Sequence, residues 1–142
     1  MTARRVPEDA IQRSVIKHYD RFRVSNTYLA SVPNESPRSR AYLGKLLGMG
    51  LRPGFPDLIA FGPRRGLIRF LELKADDGTL TESQCEMHER LESLGFEVAT
   101  AWGLDAPIIL LEEWGIVRPV RRLFTFPGRI QWWSRGQERL VA

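Results

Sequence analysis

Two short apolar runs, each carrying acid at one end, restrict this chain more than any other feature. The first runs from Gly54 to Pro63 and contains Pro56-Asp57-Leu58-Ile59-Ala60-Phe61; the second, Leu67-Ile68-Arg69-Phe70-Leu71-Glu72-Leu73-Lys74, follows the basic turn Arg64-Arg65-Gly66. Both are rich in β-branched and aromatic residues and fenced by Gly and Pro, which marks strands. The turn is too short for a helix, so the strands pair antiparallel. Asp57 starts one strand and Glu72 lies near the end of the other, so both carboxylates reach the same end of the ladder. Cross-strand Cβ atoms there lie about 4.5–5.5 Å apart. Like charges that close repel, and a proton or a bound cation relieves them. Lys74 shares the face of Glu72, while Leu73 turns to the other side and is free to pack. Carboxylate, carboxylate and amine converge in a pocket whose oxygens suit Mg²⁺ or Mn²⁺.

With Pro56-Asp57 and Glu72-Leu73-Lys74 in place, the chain resembles the restriction-endonuclease-like nucleases, whose signature is proline-aspartate followed by glutamate-x-lysine. The flanking residues are similar in order to the virus-type replication-repair nuclease (VRR-NUC) domain: Glu8 on an early helix, Pro33-Asn34, Gly54-Phe55-Pro56-Asp57-Leu58, Glu72-Leu73-Lys74, Leu80-Thr81-Glu82-Ser83-Gln84 and Gly95-Phe96-Glu97-Val98. The likeness covers about Glu8 to Ile116. It implies a metal held by Asp57, Glu72 and the main-chain carbonyl of Leu73, with Glu8 as a further ligand. It also implies that Lys74 orients the attacking water, and that Gln84 lies beside Lys74 and positions water or phosphate.

At 142 residues the chain is long enough for one domain with a real core. With 43% apolar and 27% charged residues it is neither membrane-spanning nor disordered. No apolar run has the length of a membrane helix and no signal peptide is evident, which predicts a cytoplasmic protein without a membrane partner. Cys85 is the one cysteine, so an internal disulfide and a cysteine-rich zinc site are excluded; without an evident base nearby in sequence it is no nucleophile. The net charge of +4 favours a polyanionic partner.

Pro7 to about Arg23 reads as the first helix, with Ile11, Val15, Ile16, Tyr19 and Phe22 at helical spacing. Glu8 at its start either complements the helix dipole or, as the resemblance implies, joins the metal site. Val24 to Val32 predicts an extended strand, followed by a loop over Pro33 to Arg40. In that loop Arg38 and Arg40 either contact phosphates or are merely solvated. Ala41 to Met49 reads as a short helix with Lys45 on its polar side, and Arg52 lies close in sequence to the acid hairpin. Thr81 to Leu94 forms a helix with Thr81 and Gln84 spaced as a capping box, so Gln84 has a structural role beside its implied functional one. Met87, Leu91 and Leu94 are its expected buried stripe, whereas His88 and His18 lack ligand-spaced partners and are expected on exposed helix faces. Phe96 to Trp102 alternates as a strand, and Asp105 to Trp114 opens with Pro107 and closes at Gly115 as a last helix.

The expected fold is therefore α/β: a restriction-endonuclease-like mixed sheet flanked by helices, with residues 1–116 as the nuclease-like domain. Residues 117–142 form a basic, aromatic extension packed on it, read as a β-hairpin about Pro127-Gly128. Arg121, Arg122, Arg129 and Trp132 in this extension either bind nucleic acid by phosphate contact and stacking or cover a sheet edge or subunit interface. The whole reads as a divalent-metal-dependent endonuclease acting on DNA, with structure-selective cleavage of junctions or flaps one option and single strands or plain duplex the others. A homodimer or higher homo-oligomer would suit two strand cuts. The alternative is a nucleic-acid-binding module that keeps the fold without cleavage.

Overall fold

The computed structural model describes residues 5–33, 39–120, 128–133 and 137–141. Arg38, Arg121 and Arg122 fall outside them. Six strands form one mixed sheet in sequential order: β1 (Tyr28–Ser31), β2 (Leu58–Phe61), β3 (Ile68–Lys74), β4 (Glu97–Trp102), β5 (Gly128–Trp132) and β6 (Gln137–Val141). Every neighbouring pair is antiparallel except β3 and β4, which run parallel. A parallel pair needs a crossover, and α3 (Glu82–Ser93) supplies it.

The faces of β3 sort the core. Leu71 and Leu73 point into the larger cluster with Ile11, Val15 and Tyr19 of α1 (Glu8–Phe22) and Leu110 and Leu111 of α4 (Ala106–Glu113). Phe70 points the other way, against Val98 and Leu91, with Phe55, Met87, Phe96 and Trp133 packed around it. Residues two apart share a face, so Glu72 and Lys74 lie on the α3 side. Strand β3 is buried from Phe70 to Lys74. The two charged residues of that buried stretch, Glu72 and Lys74, therefore sit where an apolar side chain would be expected.

The structure shortens or moves several predicted elements. The strand expected from Val24 begins only at Tyr28, because Thr27 closes a turn: its N–H and hydroxyl both donate to the Val24 carbonyl, at 3.2 and 2.6 Å. Arg40 begins α2 (Arg40–Gly48) instead of ending a loop, after Ser39 caps it by accepting the Tyr42 N–H. Leu94 is not part of a buried stripe; it caps α3 at the surface and is 66% exposed. The C-terminal hairpin is present, but Gly128 starts β5 instead of forming its turn. That glycine lies so close to the Trp102 carbonyl that a Cβ would stand 2.4 Å from it, and the connection to β6 follows Trp133. Among the described residues no helix is long and apolar enough to cross a membrane.

Candidate active site

The hairpin register explains why proline precedes the aspartate. Leu58 pairs with Leu71, and the same register carried two residues on sets Pro56 opposite Leu73. Proline has no N–H, so the ladder cannot continue there. The Leu73 N–H is taken instead by the Asp57 carboxylate, which accepts it at Oδ2 over 2.8 Å. One residue's N–H and C=O face the same neighbouring strand, so the Leu73 carbonyl also faces Asp57 and finds no donor on the proline. Asp57 is thereby held beside β3, across from Glu72.

Glu72 is 2% exposed and accepts at Oε1 from Gln84 Nε2 over 2.8 Å. Gln84 is held in turn by the capping box at the start of α3: its Oε1 accepts the Thr81 N–H, and Thr81 Oγ1 accepts the Gln84 N–H. The other Glu72 oxygen, Oε2, is buried with no hydrogen bond. Lys74, 6% exposed, extends to within 3.8 Å of the Glu8 carboxylate at the start of α1. The structure thus gathers Asp57, Glu72, Lys74, Gln84 and Glu8 from the start of β2, β3, α3 and α1.

The charges are unbalanced. Burial first, then the neighbouring Glu72 carboxylate, pushes the Asp57 carboxyl up to about 7. Burial pushes Glu72 to about 7 as well, against the pull of the Lys74 ammonium; the Glu8 charge raises both. Two carboxyls that take up protons near neutrality, beside an unpartnered buried oxygen, have room for positive charge. Among the described residues no group of three or more His, Cys, Asp and Glu is disposed to hold an ion; Asp57 and Glu72 face each other as a pair, and Glu8 at the tip of Lys74 does not complete a trio with them.

His88 overturns the sequence expectation of an exposed helix face. It is 1% exposed, one turn after Gln84 on the inward side of α3, with Nε2 3.8 Å from Glu72 Oε2. Burial holds its imidazole down to about 4, so it is neutral at neutral pH and the contact is no ion pair; nor is 3.8 Å a hydrogen bond. The helical stripe 84, 88, 91 carries the signal, since Gln84 and Leu91 face inward at the same spacing. His18 is also not on an exposed face: it is half-buried, its ring tilted at 44° to that of Phe22 with centroids 4.7 Å apart.

The basic residues expected to touch nucleic acid are dispersed. Arg40, Lys45 and Arg52 are exposed around α2 and the loop after it. Arg129 is half-buried, 3.9 Å over the Trp102 ring and 3.5 Å from Glu138. Trp132 is 8% exposed within the larger core, so it packs and does not present a ring for stacking on bases.

The sequence model of the VRR-NUC domain family matches residues 6–104. A solved structure described as "VRR_NUC domain protein" is similar at 23% identity and a TM-score of 0.63, over 82% of this chain and 100% of that one. A second, described as "VRR_NUC domain", gives 24% identity and a TM-score of 0.48 over 75% of this chain and 96% of that one. No curated protein matches.

Proposed function

The chain belongs to the VRR-NUC domain family, a nuclease family, and from that premise we propose that it is a divalent-metal-dependent endonuclease hydrolysing phosphodiester bonds in DNA. The observation that carries this reading is the carboxyl pair of half-buried Asp57 and buried Glu72, both pushed up to about 7, with one Glu72 oxygen unpartnered and Lys74 alongside. A structural acid pair of this kind, left without a cation, is a cost to the fold; a metal site gives it a purpose.

Asp57, Glu72 and the Leu73 carbonyl would hold Mg²⁺ or Mn²⁺, with Glu8 close enough in charge to contribute, and water and phosphate completing the oxygen shell. When bound, the cation supplies positive charge against the phosphate and acidity for a nearby water. The protein's own part is positional. The Leu73 N–H fixes the Asp57 carboxylate and Gln84 fixes that of Glu72, so neither must reorganise as charge develops. Lys74, held on its buried stem with Glu8 at its tip, brings an ammonium to stabilise the charge that builds on the phosphate and to orient the attacking water.

The test is cleavage of labelled duplex, flap, single-strand and four-way-junction DNA with Mg²⁺, Mn²⁺, Ca²⁺ or EDTA. Mg²⁺ and Mn²⁺ should activate. Ca²⁺, with longer and looser coordination, should support binding with little cleavage. Asp57→Asn, Glu72→Gln and Lys74→Ala should each lose most turnover while keeping DNA affinity, and full activity in EDTA refutes the reading.

A further inference from the structure

Glu72 carries two oxygens with about four lone-pair sites between them. Gln84 fills one site on Oε1, and Oε2 is buried without a partner. On the α3 side His88 Nε2 stands 3.8 Å from that oxygen, and neither ring nitrogen of His88 has a hydrogen-bond partner. A buried donor and a buried acceptor, both unsatisfied and facing each other, are each expensive to keep. The ring cannot swing away freely, because the Trp133 ring stands edge-on to it, with centroids 5.8 Å apart and planes at 87°. The Trp133 main chain is held beside β4 by its backbone N–H, which donates to the Val98 carbonyl. Shortening the contact by about 0.9 Å would make an ordinary hydrogen bond.

We infer that His88 is a positioning residue for the metal site, its Nε2–H donating to Glu72 Oε2 when that carboxylate holds a cation. Gln84 and His88, one turn apart on α3, then grip the two oxygens of one carboxylate and leave its remaining lone pairs turned toward Asp57. Such outer partners of a ligand carboxylate set both its orientation and its basicity. The inference rests on the nuclease reading above and goes beyond it by assigning a residue outside the acid hairpin.

Calorimetric titration of the protein with Mn²⁺ alone, without DNA, tests it. His88→Leu fills the space without a donor. His88→Gln places an amide N–H where Nε2 stands, and His88→Asn places one where Nδ1 stands, out of reach. The expected result is Mn²⁺ affinity weakened by roughly 10–100-fold in the Leu and Asn variants and recovered by Gln, with cleavage requiring correspondingly more metal. Melting of each metal-free variant is measured alongside, and Leu should melt no lower than native, since it removes an unsatisfied polar group from the core. If His88→Leu binds Mn²⁺ like the native protein, or if Gln and Leu weaken affinity equally, the role assigned to His88 is wrong while the nuclease reading stands. If the native protein takes up no Mn²⁺, both are wrong.

Discussion

Gln84 Nε2 donates to Glu72 Oε1 over 2.8 Å while Gln84 Oε1 accepts the Thr81 N–H over 2.9 Å, so one side chain both closes the first turn of α3 and fixes a carboxylate of the site. The two functions can be pulled apart. Gln84→Ala removes both, and should cost about 1 kcal/mol of stability from the broken capping box as well as most of the cleavage. Gln84→Glu keeps an acceptor for the Thr81 N–H but turns a second carboxylate on Glu72. It should therefore melt nearer to native than Gln84→Ala and yet cleave less. Native turnover in Gln84→Glu would show that the contact to Glu72 is incidental.

The acid pair gives the metal-free protein a pH dependence of definite sign. Asp57 and Glu72 rise from ordinary values of 3.8 and 4.5 to about 7, so between roughly pH 4 and 7 the folded state binds more protons than the unfolded one. Stability contributed by these groups is thus full at low pH, falls as pH rises through 7, and stays low above it. Denaturant titrations in EDTA should show the decline, and Asp57→Asn should flatten it. Mn²⁺ should raise the melting temperature more at pH 8 than at pH 5, because at pH 8 the site is already ionised and needs no proton displaced. A pH dependence left unaltered by Asp57→Asn would contradict the electrostatics assigned to the pair.

Local signals in the sequence carry the acid hairpin well. The Pro-Asp and Glu-x-Lys spacing, the short basic turn and strand alternation together put Asp57, Glu72 and Lys74 at one end of the ladder, and the Thr81 to Gln84 spacing gives the cap of α3. What the sequence hides depends on partners distant in the chain. His88 looks solvated until α3 is laid across β3, since nothing near it in sequence says that Glu72 lies beneath. Trp132 belongs to a basic, aromatic segment whose composition reads equally as a nucleic-acid surface or as packing, and only its pairing with Ala99 on β4 turns it into the core. Pro-Gly is a strong turn signal, yet here Gly128 serves close approach to Trp102, which a local reading of the dipeptide cannot reveal.

Gly54 should tolerate no side chain. Its φ is +80°, and a Cβ there would stand 2.2 Å from the Ser83 carbonyl oxygen and 2.6 Å from the Gln84 nitrogen. These are backbone atoms of the first turn of α3, so relief requires moving either the loop before Asp57 or the helix that carries Gln84. Gly54→Ala is expected to cost more than about 1 kcal/mol, from the left-handed backbone alone before the clash is counted. Cleavage should fall further than the loss of folded protein explains, because Gln84 and Asp57 would be displaced relative to each other. Comparing turnover per folded molecule, taken from the melting curve, separates the two effects; a native rate per folded molecule would mean that the approach serves folding alone.

The C-terminal residues should divide into packing and substrate contact. Trp132 lies in the core with Ala99, Ile130 and Val141, so Trp132→Ala is expected to cost about 3–5 kcal/mol, as for other buried aromatic truncations. Its effect on DNA affinity, measured on the folded fraction, should be small. Arg121 and Arg122 supply adjacent positive charge just before β5. If both touch phosphates, changing the pair to Ala should weaken DNA binding and reduce the slope of log affinity against log salt by roughly 0.9 for each duplex phosphate no longer neutralised. Turnover at saturating DNA should be unchanged, because the chemistry is assigned to Asp57, Glu72 and Lys74. An unaltered affinity and salt slope in the double variant would assign Arg121 and Arg122 no phosphate, and the positive charge that holds DNA would then have to come from elsewhere, with Arg40, Lys45 and Arg52 the exposed candidates around α2.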